Sequence, residues 1–144
     1  MRFIFTLFLC IAAGIPFAAA VSEHTDDKNG DGKLDTWIVE EEDNVLCLTR
    51  DSNYDGYIDY LLRTDTDNKR IYEEIDFNHD GQMDDFYFYT DGVLARRELD
   101  SNYDGAVDIW VYLTEGVYIE KYARDKDYDG VIDVEKIYTA DAEE

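Results

Sequence analysis

The stretch DSNYDGYID at residues 51–59 decides how the rest of the chain is interpreted. It places three carboxylates and one amide close together, where like charges repel. Nearly the same stretch occurs five times, and the starts are separated by 24, 25, 24 and 25 residues. A fixed period of this size is typical of repeat proteins in which each repeat is one supersecondary unit. We call these stretches loops 1 to 5, at residues 27–35, 51–59, 76–84, 100–108 and 125–133.

The segments between the loops have the composition of β-strands. Segments such as DTWIVE, DDFYFYT and VYIEKYAR are rich in aromatic and β-branched residues and have the length of strands. Asp91-Gly92 and Glu115-Gly116 lie between two such segments, which indicates tight hairpins. The sequence therefore predicts an all-β fold, an antiparallel meander of about nine strands with the acidic loops along one edge. We expect no strand before loop 1, and a sheet that is either open or curled on itself.

Residues 1–20 have the pattern of a signal peptide. A positive start at Arg2 precedes the apolar run FIFTLFLCIAAGIPF, and alanines at 18–20 supply the small residues that signal peptidase requires. We expect cleavage before Val21, the alternative being an N-terminal anchor that stays uncut. The apolar run is too short for a membrane span. The sequence thus predicts a secreted or periplasmic protein with one domain over residues 21–144 and no membrane span after cleavage.

Composition limits the classes of partner. The formal net charge of −22 disfavours binding to nucleic acid and to anionic lipid. The chain is nevertheless 45% hydrophobic and 15% aromatic, which argues against disorder. Cys47 is the one cysteine after residue 20, so no internal disulfide can form, and we expect it to be a buried small hydrophobe. Something other than a disulfide must stabilise the fold.

Each loop repeats the same chemistry at the same positions. An acid or amide stands at positions 1, 3 and 5, glycine at position 6, an apolar residue at position 8 and aspartate at position 9. Simple Asx- and glycine-rich turns are the alternative, but a turn requires one Asx and one glycine rather than four oxygen-bearing side chains. The side chains concerned are Asp27, Asn29, Asp31 and Asp35; Asp51, Asn53, Asp55 and Asp59; Asp76, Asn78, Asp80 and Asp84; Asp100, Asn102, Asp104 and Asp108; and Asp125, Asp127, Asp129 and Asp133.

This spacing resembles the calcium loop of EF-hands, in which oxygens at positions 1, 3, 5 and 9 and a backbone carbonyl at position 7 surround the ion. The loops are more similar to those of thrombospondin type 3 repeats, dockerins and bacterial secreted repeat proteins that join DxNxDGxxD loops with aromatic hairpins. The resemblance covers residues 27–139 and implies Ca²⁺ as the cofactor. It also implies carbonyl ligands at position 7, from Lys33, Tyr57, Gln82, Ala106 and Val131.

The loops depart from EF-hands at position 12. An EF-hand has a bidentate glutamate there, whereas this chain has no acid at that position. Water, direct binding by the aspartate at position 9, or an acid from the next repeat would have to complete the coordination. Transition metals prefer histidine or cysteine, and His24 and His79 lie in different repeats. The residues at position 12 are Ile38, Leu62, Tyr87, Val111 and Lys136.

Two functions are compatible with these features. The first is a calcium-binding repeat protein with a structural or adhesive role, in which the ion makes the sheet rigid. The second is a module that binds carbohydrate or a surface polymer through aromatic side chains, because Trp37, Phe86, Phe88, Trp110 and Tyr112 share one alternation phase. Five equivalent loops favour repeated binding over a single active centre, so we expect no enzyme activity. Partners would be calcium and a cell-surface protein or polysaccharide.

Overall fold

A computed structural model of the protein describes residues 23–138. These residues form one ten-stranded sheet in which every strand pairs antiparallel with its neighbour in the sequence. The one further element is a short 3-10 turn at Glu42–Asn44. The strands are β1 (Glu23–Asp26), β2 (Thr36–Glu40), β3 (Leu46–Arg50), β4 (Tyr60–Thr64), β5 (Arg70–Ile75), β6 (Asp85–Thr90), β7 (Val93–Leu99), β8 (Ile109–Thr114), β9 (Tyr118–Arg124) and β10 (Val134–Ile137).

The predicted all-β meander is confirmed, and the sheet is open, with β1 and β10 at its two edges. The expectation that no strand precedes loop 1 was wrong, because β1 pairs with β2 in the register Thr25↔Trp37. The sequence EHTD carries no apolar residue, so its composition does not indicate a strand. Its strand conformation goes with its backbone pairing to β2. The expected signal peptide lies outside the described residues.

Tight turns occupy the sheet edge opposite the loops. Asp91 and Gly92 have φ of 52° and 81°, and Glu115 and Gly116 have φ of 56° and 74°. Two consecutive positive φ values match the right-handed twist of the flanking strands, which is why Asp-Gly and Glu-Gly serve here. Register shifts next to these turns, between Phe88 and Tyr89 for example, mark β-bulges.

Cross-strand pairing sorts the side chains onto two faces. Phe86 pairs through Glu98 with Trp110, so the predicted common phase of these aromatics is a common face, which we call the aromatic face. Cations cover part of it, since the Arg96 guanidinium lies 3.9 Å from the ring centroid of Phe88. Such contacts stabilise a face that no second layer covers within residues 23–138. Tyr87 and its partner Arg97 belong to the opposite face.

The apolar core of this single-layer sheet is small. Among residues 23–138, the buried hydrophobic residues are Cys47, Leu61 and Ala123, which confirms the prediction that Cys47 is buried. Most of the buried side chains are instead acidic, and Asp85 is fully buried. Because buried carboxylates require hydrogen-bond donors or cations, the stability of this fold depends on what the acids bind. Within the described part of the chain, no helix is long and apolar enough to cross a membrane.

Candidate metal centres

The aspartate at position 1 holds the turn of each loop. In loop 2, Asp51 accepts the N–H of Tyr54 at 2.6 Å and that of Gly56 at 2.8 Å. Asp27, Asp76, Asp100 and Asp125 accept the N–H groups of positions 4 and 6 in the same way, at 2.7 to 2.8 Å. The five loops are therefore structural repeats as well as sequence repeats.

Two residues of each loop adopt the left-handed region. Position 6 is always glycine, with φ between 86° and 99°. Position 4 has φ between 61° and 75° and is glycine in loop 1, tyrosine in loops 2, 4 and 5, and histidine in loop 3. A non-glycine residue with positive φ is uncommon, so the loops accept backbone strain at position 4. This strain is compensated by the hydrogen bonds that the residues at positions 4 and 6 donate to position 1.

Positions 3 and 5 form successive Asx turns. In loop 3, Asn78 accepts the N–H of Asp80 at 2.8 Å, and Asp80 accepts the N–H of Gln82 at 2.9 Å. Asparagine at position 3 also donates to the position-5 carboxylate in loops 2, 3 and 4. The position-7 N–H is thus held by position 5, at 2.8 to 3.0 Å in all five loops. These bonds fix the loop backbone around the acidic side chains.

The aspartate at position 9 closes each loop. Its carboxylate accepts the N–H of position 2, as in the 2.8 Å bond from Ser101 to Asp108. The matching bonds in the other loops reach Asp35, Asp59, Asp84 and Asp133 at 2.5 to 2.8 Å. The side chains at positions 1 and 9 therefore converge on the N–H groups of one loop. All predicted side-chain ligands lie in these hydrogen-bonded loops.

Neighbouring loops are joined to each other by backbone hydrogen bonds. The N–H at position 1 donates to the carbonyl oxygen at position 9 of the preceding loop, at 2.8 to 2.9 Å in all four junctions. The aspartates at these junctions are 1 to 5% exposed. At the two ends of the row, Asp27 is half-buried and Asp133 is exposed. The junction residues are Asp35 with Asp51, Asp59 with Asp76, Asp84 with Asp100, and Asp108 with Asp125.

Loop 5 contains a cluster of three carboxylates that can hold a metal ion. Oxygen atoms of Asp125, Asp127 and Asp133, at positions 1, 3 and 9, all lie within 4.8 Å of one another. The pKa of Asp127 is raised, chiefly by repulsion from Asp129 and then from Asp133. Among residues 23–138, no ion pair joins a lysine or arginine to a loop aspartate. Within the described residues, therefore, no lysine or arginine forms an ion pair with this cluster.

The spacing of these oxygens fits a hard cation. Ligand oxygens that sit about 2.3 to 2.6 Å from one calcium ion are at most about 5 Å apart, which agrees with the separation in loop 5. The other four loops have asparagine at position 3, so an amide oxygen replaces the third carboxylate. In loops 1 to 4, all of them described, the carboxylates alone do not form such a cluster of three.

Position 12 lies within a strand rather than within a loop. The five position-12 residues fall in β2, β4, β6, β8 and β10, where Leu62 pairs with Leu48 and Tyr87 with Arg97. Because the residue is part of the strand ladder, it lies outside the loop and is not placed as a twelfth-position ligand. Side-chain contacts between neighbouring loops involve residues other than those at position 12. His79 of loop 3 places Nδ1 2.9 Å from Oδ1 of Asp59 in loop 2, and this hydrogen bond raises the pKa of His79.

A second group of buried acids lies on the sheet and was not predicted. Asp85 forms a bidentate pair with Arg97, with distances of 2.5 to 3.1 Å, and accepts the Tyr87 hydroxyl at 2.8 Å. Glu73 accepts the hydroxyl groups of Tyr60 and Tyr89, each at 2.8 Å. Unlike the loop aspartates, these acids are each paired with an arginine, Asp85 with Arg97 and Glu73 with Arg70. They are structural parts of the sheet.

Comparison with known proteins adds no family to this description. No family model matches the chain, and neither the curated proteins nor the solved structures include a significant match. The geometry of the loops therefore carries the functional argument.

Proposed function

We propose that this protein is a secreted or periplasmic calcium-binding repeat protein. In this proposal, loops 1 to 5 bind Ca²⁺ and the ions make a thin β-sheet rigid enough for a structural or adhesive role. The observation that carries the proposal is the carboxylate cluster of Asp125, Asp127 and Asp133, whose oxygens lie within 4.8 Å of one another and form no ion pair with a lysine or arginine among the described residues. The other four loops have the same hydrogen bonds from backbone N–H groups to the position-1 carboxylate as loop 5.

Calcium suits these ligands better than other cations do. All proposed ligand atoms are oxygens from carboxylates, amides and backbone carbonyls, which are the ligands of hard cations. Mg²⁺ requires a tighter octahedron and keeps more of its water, so it would use fewer of these groups. Each loop would contribute side chains from positions 1, 3, 5 and 9 and the carbonyl of position 7. Water would fill the place of the missing position-12 glutamate, and affinity would be weak, on the order of 10⁻⁴ to 10⁻³ M.

A structural role for the ion follows from what surrounds the loops. Strands enter and leave every loop, and the loops are tied to one another by backbone bonds such as that from Asp100 to Asp84. An EF-hand sensor instead moves helices when calcium binds. The sheet offers no comparable moving part, whereas its small core leaves a need for stabilisation. Five equivalent loops also favour binding over catalysis.

The alternative, a carbohydrate-binding aromatic face, has less support. Sugar recognition by aromatic rings requires free ring faces, but Arg96 lies over Phe88 and Arg63 lies 6.0 Å from the ring centroid of Tyr72. Tyr72 and Phe88 also pack on each other with centroids 5.1 Å apart. These rings are engaged within the chain, so we favour the calcium role.

Thermal unfolding in calcium and in EDTA tests the proposal. Calcium binds the folded chain in preference to the unfolded one, which adds about 2.7 kcal/mol per site at a hundredfold excess over the dissociation constant. We expect EDTA to lower the melting temperature by many degrees and to expose the chain to protease. High NaCl is the control, because it screens repulsion but supplies no coordination, and it should restore only part of the loss. Identical melting curves in calcium and EDTA would show that the loops are only turns.

A further inference from the structure

We propose that copies of this chain associate end to end, with β10 of one copy pairing antiparallel with β1 of the next. The two strands are the edges of the sheet, and among residues 23–138 no strand pairs with the outer side of either. An unpaired edge presents a row of backbone N–H and C=O groups that another strand can complete. Within the described residues the sheet therefore has two unpaired edges, and the repeat indicates which strand each edge fits.

The register of the internal strands extends to this junction. The strand after each loop pairs with the strand before the next loop, and its first residue pairs with the residue directly before that loop, as in Thr36↔Arg50 and Ile109↔Arg124. The same rule applied across two copies pairs Val134 with Asp26. Lys136 then pairs with His24, and all four residues of β10 find partners in all four of β1. The two edge strands match in length and in register.

The loops supply a second, independent match. Each of loops 2 to 5 donates its position-1 N–H to the position-9 carbonyl of the loop before it. Within the described residues, Asp133 has no following loop and Asp27 has no preceding one. These two aspartates also depart from the burial seen at the four internal junctions, since Asp133 is exposed and Asp27 is only half-buried. A second copy would supply both missing partners and give the two aspartates the environment that the other junction aspartates have.

Charge on the edge strands favours a second copy over a more acidic partner. Lys136 of β10 would lie opposite His24 and diagonal to Asp26, and its attraction to Asp26 would add to the ion pair that Asp26 makes with Lys28. The contact joins two different edges, so it is heterologous and adds copies in a line rather than closing a dimer. The interface is small, and the net charge of −22 opposes it. Association is therefore expected at high protein concentration when calcium or high salt reduces the repulsion.

Sedimentation velocity of the chain without residues 1–20 tests this proposal, with a matched pair of variants at Glu135. Tyr138 donates its N–H inward to Glu120, so by alternation the N–H of Glu135 points away from β9. Glu135→Pro removes that outward donor, and Glu135→Thr keeps it. Both variants lose the ion pair with Lys121. Lys136→Glu serves as a further test if the proline variant does not fold, because it opposes Asp26 of the next copy without altering the backbone.

The weight-average mass of the wild type and of Glu135→Thr should at least double between dilute and concentrated samples. Glu135→Pro should stay monomeric and, when mixed with the wild type, should shorten the assemblies because its free β1 caps them. The same difference between Glu135→Pro and Glu135→Thr should be seen for the folded sheet in EDTA with high NaCl. This condition distinguishes a failure of calcium binding from a failure of association. A wild type that is monomeric at every concentration overturns the proposal. Equal weight-average masses for Glu135→Pro and Glu135→Thr also overturn it. Association that appears only in a variant lacking the residues after Tyr138 does the same.

Discussion

The backbone N–H of Asp76 donates a 2.8 Å hydrogen bond to the carbonyl oxygen of Asp59, and this bond joins the start of loop 3 to the end of loop 2. Both carboxylates are buried beside this bond and turn back to accept N–H groups of their own loops. The acidic edge of the sheet is thus a continuous row of linked loops. Local changes in one loop should therefore affect the stability of the sheet.

Replacing Asp76 by alanine should destabilise the chain even without metal. Its carboxylate accepts the N–H groups of His79 and Gly81, at 2.7 and 2.8 Å, and is 1% exposed. Loss of these acceptors should cost about 1 to 3 kcal/mol in a urea titration in EDTA. Asp80→Ala is the control, because Asp80 is an exposed proposed ligand of the same loop. It should lose calcium affinity as Asp76→Ala does, but with less than about 1 kcal/mol of metal-free cost. Equal costs in EDTA would contradict the assigned role of position 1.

Exchanging the position-3 residues of loops 4 and 5 should shift calcium affinity in opposite directions. Asp127→Asn removes one carboxylate from the loop 5 cluster and should weaken that site by roughly tenfold, or about 1.4 kcal/mol. It should also relieve repulsion with Asp129 and so slightly stabilise the metal-free chain. Asn102→Asp adds the same carboxylate to loop 4 and should strengthen binding there. Calorimetric titration of both variants checks this, and shifts of the same sign would mean that position 3 does not contact the ion.

Breaking the Asp85–Arg97 pair should lower the free energy of unfolding by a large amount, with or without metal. Asp85 is fully buried, whereas the Arg97 side chain is 39% exposed. Arg97→Met would leave a buried carboxylate without its cation, and partial access to water should moderate the cost to about 2 to 3 kcal/mol. Arg96→Met is the control, because Arg96 pairs with the more accessible Glu98 and should cost about 1 kcal/mol or less. Urea unfolding in EDTA measures both, and similar costs would show that the buried pair is not decisive.

Tyrosine ionisation should destabilise the sheet at high pH. Burial, together with the hydrogen bond to Asp85, raises the pKa of Tyr87 to about 12. The unfolded chain ionises near pH 10, so stability present below about pH 10 is lost as pH rises towards about 12. Tyr87→Phe removes this group and should make the fall in unfolding free energy over that interval shallower. Some slope should remain, because burial also raises the pKa of Tyr60 to about 12. An unchanged slope in Tyr87→Phe would contradict the assignment.

The fold could be predicted largely because the same sequence features recur in every repeat. The period located the loops, and Asp91-Gly92 and Glu115-Gly116 located hairpins that the structure confirms through positive φ values. β1 escaped prediction because EHTD has no apolar pattern, and its strand conformation depends on pairing with β2. Composition identifies strands that bury side chains, but it does not identify a strand held by backbone bonds alone.

The loop chemistry was visible in the sequence, whereas the connections between loops were not. The side chains at positions 1, 3, 5 and 9 could be proposed as ligands from their spacing. The bond between Asp76 and Asp59 joins two backbone groups, which every residue carries, so no side-chain pattern reports it. The pairing of Asp85 with Arg97 depends on the exact register of β6 and β7, which contains a bulge. Sequence spacing alone does not determine that register.

The number of calcium ions bound per chain is the decisive measurement. The chain without residues 1–20 should be titrated by calorimetry and examined by native mass spectrometry in millimolar calcium. We predict up to five Ca²⁺ per chain, with loops 1 and 5 the weakest because each has a neighbouring loop on one side only. Replacement of the position-5 aspartate in one loop, as in Asp104→Asn, should weaken or abolish the binding of one ion and leave the other ions bound. A chain that retains no calcium under these conditions would show that the loops are not calcium sites.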